Sequence, residues 1–412
     1  MQSHLETNSV VCLGQPSGPL SVYVPRFIAA LDSRGFTRAS MVHRVRVVGA
    51  LDHWMRKHRV RIEDLTEERI ERFFGDRGRS YSKQIGECAT LRSLLVYLRE
   101  AKVVPPCVSH DEASPINQLQ ASFAQYLREQ RGLRPATLEQ YLFHTRRFLA
   151  ERFGKSALSL GKLNAQDISR CILRQAKTIS PHAARCMAKA LRSLLRFLQQ
   201  RGDIATNLAE SVPSVALWSL AGLPKYLTPQ QIAVVLKSCQ QGGVAAQRDR
   251  TILLLLARLG LRASEVVRMM LEDIDWEAGE LTIRGKGGRI DKLPLPRDVG
   301  HSLAKYLQRV RPQCACRRVF IRAKAPHQGF SDSAAVDIVV QRALRRTGLN
   351  PPTRGAHLFR HGLATGMLRN GASLAEIGKI LRHHSPSATA IYAKVDLTAL
   401  RTLAQPWPGG GA

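Results

Sequence analysis

The octet Leu91 to Leu98 reads LRSLLVYL, and Leu191 to Leu198 reads LRSLLRFL. Both place leucine at i, i+3, i+4 and i+7, which is the single apolar stripe of an amphipathic helix. The parallel continues upstream. FIAALDSRGFTRASMVHRVRVVGALDHWM from Phe27 is echoed by FAQYLREQRGLRPATLEQYLFHTRRFLAERF from Phe123, and VRIEDLTEERIERFF is echoed by LSLGKLNAQDISRCIL. Leucine spacing alone is common to amphipathic helices, but agreement in the order of several segments favours duplication of one supersecondary unit. Two related helical modules, residues 20–105 and 113–210, are therefore expected ahead of the rest of the chain.

Linkers are expected where Pro and small residues cluster, at Val103 to Pro115 and at Ala209 to Pro229. Within the second, Thr228-Pro229-Gln230-Gln231 has the form of a helix start, with Thr as N-cap, Pro at the first position and Gln closing a capping box. Residues 222–404 form a third, mixed part. Asp249 to Arg258 reads as a buried helix, and Gly279 to Pro296 as a hairpin that turns at Gly-Lys-Gly-Gly, with helices following. Residues 1–19 and 405–412 are expected to be flexible, since the tail PWPGGGA cannot continue a helix. The fold class is thus mainly α with a small β-hairpin or sheet.

The 62 Lys and Arg residues against 32 acids leave a formal charge of +30. Such self-repulsion calls for an acidic partner, and nucleic acid is the default. An anionic membrane surface is the rival, but the basic residues are spread along the whole chain, without a Lys-rich tail or a single basic amphipathic helix. The longest apolar run, Thr251 to Leu261, contains Arg258 and falls far short of the roughly 20 residues of a membrane span. The N-terminus lacks the basic start and apolar stretch of a secretory signal, so the protein is expected in the cytoplasm, associated with the nucleoid. Eight cysteines lie scattered, and the close pair Cys314 and Cys316 has no second pair to complete a zinc site, so reduced thiols are expected.

Breaking a DNA phosphodiester without a metal would require fixed donors around the phosphate, a nucleophile with a base, and an acid for the departing oxygen. The needed set is two Arg, one or two His, a Lys or similar acid, and a Tyr. The third part contains these in order. Arg262 lies in GLRASEVV, before a helix whose expected N-cap is Ser264, where backbone N–H groups would also favour phosphate. Lys286 is at the hairpin tip in RGKGGR, where flanking glycines allow close approach to a ligand. His357 and Arg360 in AHLFRHGLAT are three apart and share a helix face. Tyr392 closes ILRHHSPSATAIYAKV, eight and nine residues after two histidines. Each alone is better explained blandly, as a surface arginine, a turn lysine, a buried histidine with a snorkelling arginine, or a core tyrosine. Only the full constellation changes the balance.

GLRASE, GKGG in a hairpin, HLFRHGLATGMLRNGASLAEIGKILRHHS and AIYAKVD together resemble the tyrosine recombinase family, also called phage integrases, which includes Xer-type enzymes. The likeness covers roughly Leu223 to Leu403 as the catalytic domain. Residues 113–210 resemble the family's helical, SAM-like core-binding domain, and residues 20–105 resemble a second copy of it that a minimal Xer-type enzyme lacks. The resemblance implies that Arg262 and Arg360 clamp the non-bridging oxygens of the scissile phosphate. It implies that His357 accepts or positions the tyrosine proton, Lys286 protonates the leaving 5′ oxygen, and His383 hydrogen-bonds the phosphate. Tyr392 would attack to give a 3′-phosphotyrosyl link, with Glu265 in support. No ATP, cofactor or obligatory metal follows, because one phosphoester is exchanged for another. The implied partners are duplex DNA carrying a specific site and other recombinase protomers, in a homo- or hetero-tetramer.

The sequence departs from the family at Leu381-Arg382-His383-His384, where Leu-Gly-His-Ser is common. The nine-residue spacing to Tyr392 favours His383 as the catalytic histidine. Arg382 is left either to touch a DNA phosphate or to stand exposed. His384 is left as a DNA contact, a solvated residue or a helix cap. Gly366, where many relatives carry His, reads as a packing variation. The expected activity is site-specific recombination in the integration, excision or transposition of a mobile element. The alternatives are a type IB topoisomerase-like nicking enzyme and a non-catalytic DNA-binding accessory protein.

Overall fold

Thr37 and Thr66 each begin a helix by accepting a hydrogen bond from a backbone N–H three residues on, Ser40 and Arg69 respectively. Ser114, Asn164 and Ser180 cap in the same way further along the chain. In this computed structural model, which describes residues 17–78, 85–106, 114–154, 158–215, 223–239, 243–285, 288–395 and 400–401, these caps open two series of helices. The first comprises α1 (Val24–Ser33), α2 (Arg38–Lys57), a 3₁₀ turn at Ile62–Asp64, α3 (Glu67–Asp76) and α4 (Ile85–Glu100). The second comprises α5 (Pro115–Glu129), α6 (Pro135–Phe153), a 3₁₀ turn at Leu160–Lys162, α7 (Ala165–Ala176) and α8 (Pro181–Gln200).

The buried positions repeat along with the elements. Leu91, Leu94, Leu95 and Leu98 line one core, and Leu191, Leu194, Leu195 and Leu198 another. Ile70, Phe73 and Phe74 on α3 are matched by Ile168, Cys171 and Ile172 on α7. The two cores are separate clusters.

The chain divides into two units, one holding Pro106–Ala221, the other Met1–Pro105 with Gly222–Ala412. In the latter, beyond residue 222, Thr228 and Gln231 close the expected capping box at the start of α9 (Pro229–Lys237). The apolar α10 (Val244–Leu259) packs against α12 (Arg297–Arg309), α13 (Ala334–Arg346) and α14 (His357–Arg369). α10 ends at Gly260, left-handed with φ +56°; a Cβ there would lie 2.7 Å from a Leu381 methyl, so any other residue would be strained and would displace that side chain.

A six-residue helix, α11 (Ala263–Arg268), comes next. Its N-cap is Arg262, and Ser264 lies inside the helix, so the expected Ser264 cap is corrected; the Glu265 carboxylate takes the Arg262 N–H instead. The expected hairpin is β2 (Glu280–Arg284) with β3 (Ile290–Pro294), Leu281 opposite Leu293. A third strand that was not expected, β1 (Ile274–Asp275), pairs antiparallel with β2 to complete a three-stranded sheet. After α14 come α15 (Leu374–Ile380), the short α16 (Pro386–Thr389) and a 3₁₀ segment Ala390–Val395. A small satellite core of Ala364, Ile377, Leu381 and Tyr392 joins these last elements to α14. No helix among the described residues is long and apolar enough to cross a membrane, and no three metal-ligating side chains cluster.

Candidate active site

The end of α10, the start of α11, one face of α14 and the segments after α15 bring together five arginine, histidine and tyrosine side chains named from sequence: Arg262, His357, Arg360, His383 and Tyr392. Arg360, on the first turn of α14, is 3% exposed. Its guanidinium donates to the Gly260 carbonyl at 2.5 Å and to the Leu381 carbonyl. It is thus tied to the end of one helix and the end of another, with N–H groups remaining for a ligand. Burial, then the charges of Arg262 and Arg382, push it down to about 10, so it stays cationic at neutral pH.

Arg262 donates from Nη1 to Glu265 at 2.7 Å and from Nη2 to the Arg382 carbonyl at 3.3 Å. Glu265, 3% exposed, also accepts from the Arg262 backbone N–H at 2.9 Å and from Arg382 Nη2 at 3.0 Å. Burial alone would raise its carboxyl, but the backbone bond and the two guanidiniums outweigh that and hold it below the usual carboxylate range. Glu265 is therefore an anionic brace between two arginines.

Arg382 differs from expectation. It is 5% exposed, and its guanidinium is bonded to Glu265 and, at 3.1 Å, to the Ile380 carbonyl. It is not exposed, because the buried carboxylate of Glu265 draws its guanidinium inward. Its backbone has φ +55°, a left-handed conformation that costs an arginine roughly 1–2 kcal/mol. This explains why glycine is usual in the family at this place.

Tyr392 is 1% exposed, and its hydroxyl lies 2.8 Å from Nδ1 of His361. Burial pushes its pKa up to about 12, with Arg360 acting against that rise. The expected partner of the tyrosine hydroxyl was His357; the structure brings His361 there instead. His357 is one turn away on the same face of α14, with ring centroids 6.0 Å apart. Spacing alone placed His361 on this face as a further candidate without choosing between the two. His357 and His361 are four apart and so face the same way, as do the three-apart His357 and Arg360.

His383 stacks over the Tyr392 ring, centroids 6.4 Å apart and planes 5° from parallel, and its Nδ1 is 2.6 Å from Thr389 Oγ1. His384 is exposed, and the N-cap of α16 is Ser385, so the capping reading of His384 is corrected. Lys286 lies outside the described residues. A cleft of about 610 Å³, lined by Arg289, Lys379, Arg382, His383, His384 and Thr389 among others, opens beside this cluster and leaves room for a phosphodiester.

Desolvation, followed by the positive charge of nearby groups, lowers His357 and takes His361 and His383 to about 4. Both rings are neutral in the fold at pH 7, whereas an unfolded chain protonates them near 6.5. Their stability contribution is complete above that pH and is lost as pH falls towards 4. Urea unfolding at pH 7 and 4.5 should show a smaller acid loss in His361→Gln than in the wild type, by about 1–2 kcal/mol after screening. Equal acid losses in the two proteins would count against a neutral, desolvated His361.

Residues 225–398 match the family model described as the phage integrase family. Integrase/recombinase y4rA of Sinorhizobium fredii is 42% identical over 96% of this chain and 96% of its own length. Tyrosine recombinase XerD of Mycobacterium tuberculosis is 31% identical, over 71% of this chain and 96% of that protein. Among solved structures, XerH site-specific recombinase bound to palindromic difH substrate matches 72% of this chain and 86% of its own, at 20% identity and a TM-score of 0.56. A lambda integrase dimer bound to a COC′ core site matches 78% of this chain and 89% of its own, at 15% identity and a TM-score of 0.53. The motifs, the mostly helical fold with its small antiparallel sheet, and these relatives agree: the chain belongs to the phage integrase family of tyrosine recombinases.

Proposed function

We propose that this protein is a site-specific recombinase that cuts and rejoins duplex DNA through a 3′-phosphotyrosyl intermediate, in the movement of a mobile element. The observation that carries the reading is the Tyr392 hydroxyl 2.8 Å from His361, beside a cluster holding Arg262 and Arg360. The Tyr392 oxygen attacks phosphorus, His361 accepts the phenolic proton, and the bond from phosphorus to the 5′ oxygen breaks. Arg262 and Arg360 carry the charge that builds on the non-bridging oxygens, with His357 and His383 as further phosphate donors. Lys286 protonates the departing 5′ oxygen. Attack of another strand's 5′ hydroxyl on the phosphotyrosine then reverses the chemistry and restores Tyr392. Atoms and charge balance at each step, so neither ATP nor a metal is required.

Residues 20–105 and 113–210 serve as duplicated SAM-like DNA-binding modules, and four protomers assemble on two sites. The second point is supported by a neighbour, a lambda integrase tetramer bound to a Holliday junction, with a TM-score of 0.50. Backbone contacts should make DNA binding strongly salt-dependent. The test incubates the protein with nicked duplex from the ends of its own element and resolves the products on a denaturing gel. A covalent adduct that persists in EDTA and maps to the peptide holding Tyr392 is expected. Absence of any adduct on every end sequence would remove the recombinase reading.

A further inference from the structure

At the other end of α10 from the reaction centre, α10 and α12 enclose a cleft of about 330 Å³ lined by Gln247, Arg250, His301, Ser302 and Lys305. Arg250 and Arg262 are separated by the rest of α10, a rise of about 14 Å from Arg250 to the helix end at 1.5 Å per residue. The cleft therefore lies apart from the arginines around Tyr392.

Its lining is one-sided in charge. Arg250, His301 and Lys305 bring basic groups, and among the described residues no carboxylate lines the cleft. Neighbouring arginines on α10 are paired: Arg248 with Asp249 at 2.8 Å, and Arg258 with Asp298 at 2.8 Å. Arg250 has no such partner; its Nε is buried and makes no hydrogen bond. An unpaired buried guanidinium N–H is costly, and such a group calls for a ligand or ion.

The polar floor is already ordered. Ser302, 2% exposed, is held by Thr251 Oγ1 at 2.8 Å and by the Gln247 amide at 3.3 Å. Gln247 and Arg250 are three apart on α10, and His301 and Lys305 four apart on α12, so each pair shares a helix face across the cleft. This is a fixed, concave, cationic site of a size suited to a phosphate group with part of its ester.

We propose that this cleft is a second phosphate-binding site, distinct from the reaction centre. The phosphate comes either from the backbone of a DNA segment outside the cleavage point or from a small phosphorylated ligand. The inference stands independently of the roles assigned around Tyr392.

Equilibrium dialysis with labelled inorganic phosphate, at constant ionic strength in chloride, tests it with the full chain. The wild type should bind phosphate at this site in addition to the reaction centre, and Arg250→Gln/Lys305→Gln should bind one phosphate fewer. Arg262→Gln, altered only at the reaction centre, should keep the site. Lys305→Gln alone, at an exposed position, should weaken it without a change of fold. Phosphate uptake by the double variant equal to that of the wild type overturns the proposal.

The source is read from the salt dependence of duplex binding by the same double variant. A slope reduced by about 1–2 identifies DNA phosphates. An unchanged slope together with lost phosphate uptake identifies a small phosphorylated ligand.

Discussion

Tyr392→Phe is expected to lower single-turnover DNA cleavage by at least about 10⁴-fold, the scale on which loss of a nucleophile is felt, while DNA binding is retained. The ring belongs to the satellite core with Ala364, Ile377 and Leu381, and phenylalanine fills the same space. Only the hydroxyl and its contact to His361 are lost, a change of about 1 kcal/mol in stability. Unfolding therefore cannot account for the lost adduct. His361→Ala should cut cleavage by about 10²–10⁴-fold, the usual contribution of a general base. His357→Ala should leave the Tyr392 hydroxyl with its partner and act through the phosphate instead. Adduct formation by Tyr392→Phe at the wild-type rate would refute the nucleophile; a neutral outcome for His361→Ala would return the proton to His357.

Glu265→Ala is expected to destabilise the domain by about 3–5 kcal/mol, since it strands the buried charge of Arg382 and releases Arg262. Arg382→Gly should cost much less. It relieves the left-handed backbone at φ +55° and leaves Glu265 still paired with Arg262. The two changes should be strongly non-additive. Urea unfolding of both single variants and the double variant should give a coupling of about 1–3 kcal/mol, with the double variant more stable than Glu265→Ala alone. Additive losses would mean that Arg382 and Glu265 do not act as a pair. In cleavage assays, Arg382→Gly should change the rate little, because Arg262 keeps both its Glu265 partner and the backbone carbonyl of residue 382.

The leucines of α4 and α8 declared their helices because burial follows a period of 3.6 residues, and all eight point into cores as their spacing requires. The capping box at Thr228 and the glycine-rich hairpin were legible for the same reason: capping and turn chemistry are local. β1 was not legible, because two residues carry no periodicity and acquire strand geometry only by pairing with β2. The Arg262 cap was hidden in the same way. A serine two residues on has the better side chain for the task, but Glu265 reaches back from within the helix and fixes the start earlier.

Residue types in order, read together with the family resemblance, assembled Arg262, His357, Arg360, His383 and Tyr392 as one set, and the charge balance pointed to nucleic acid, since order and net charge are both carried by the linear sequence. Which histidine meets the tyrosine hydroxyl was decided by the packing of the 390–395 segment against α14, and no spacing along one helix reports that. The inward turn of Arg382 likewise required a buried carboxylate 117 positions earlier in the chain, one that already holds Arg262 and has a second oxygen available for a guanidinium brought in by the fold. Long-range pairing of this kind depends on what the surrounding protein removes from water, and that is settled only when the helices pack.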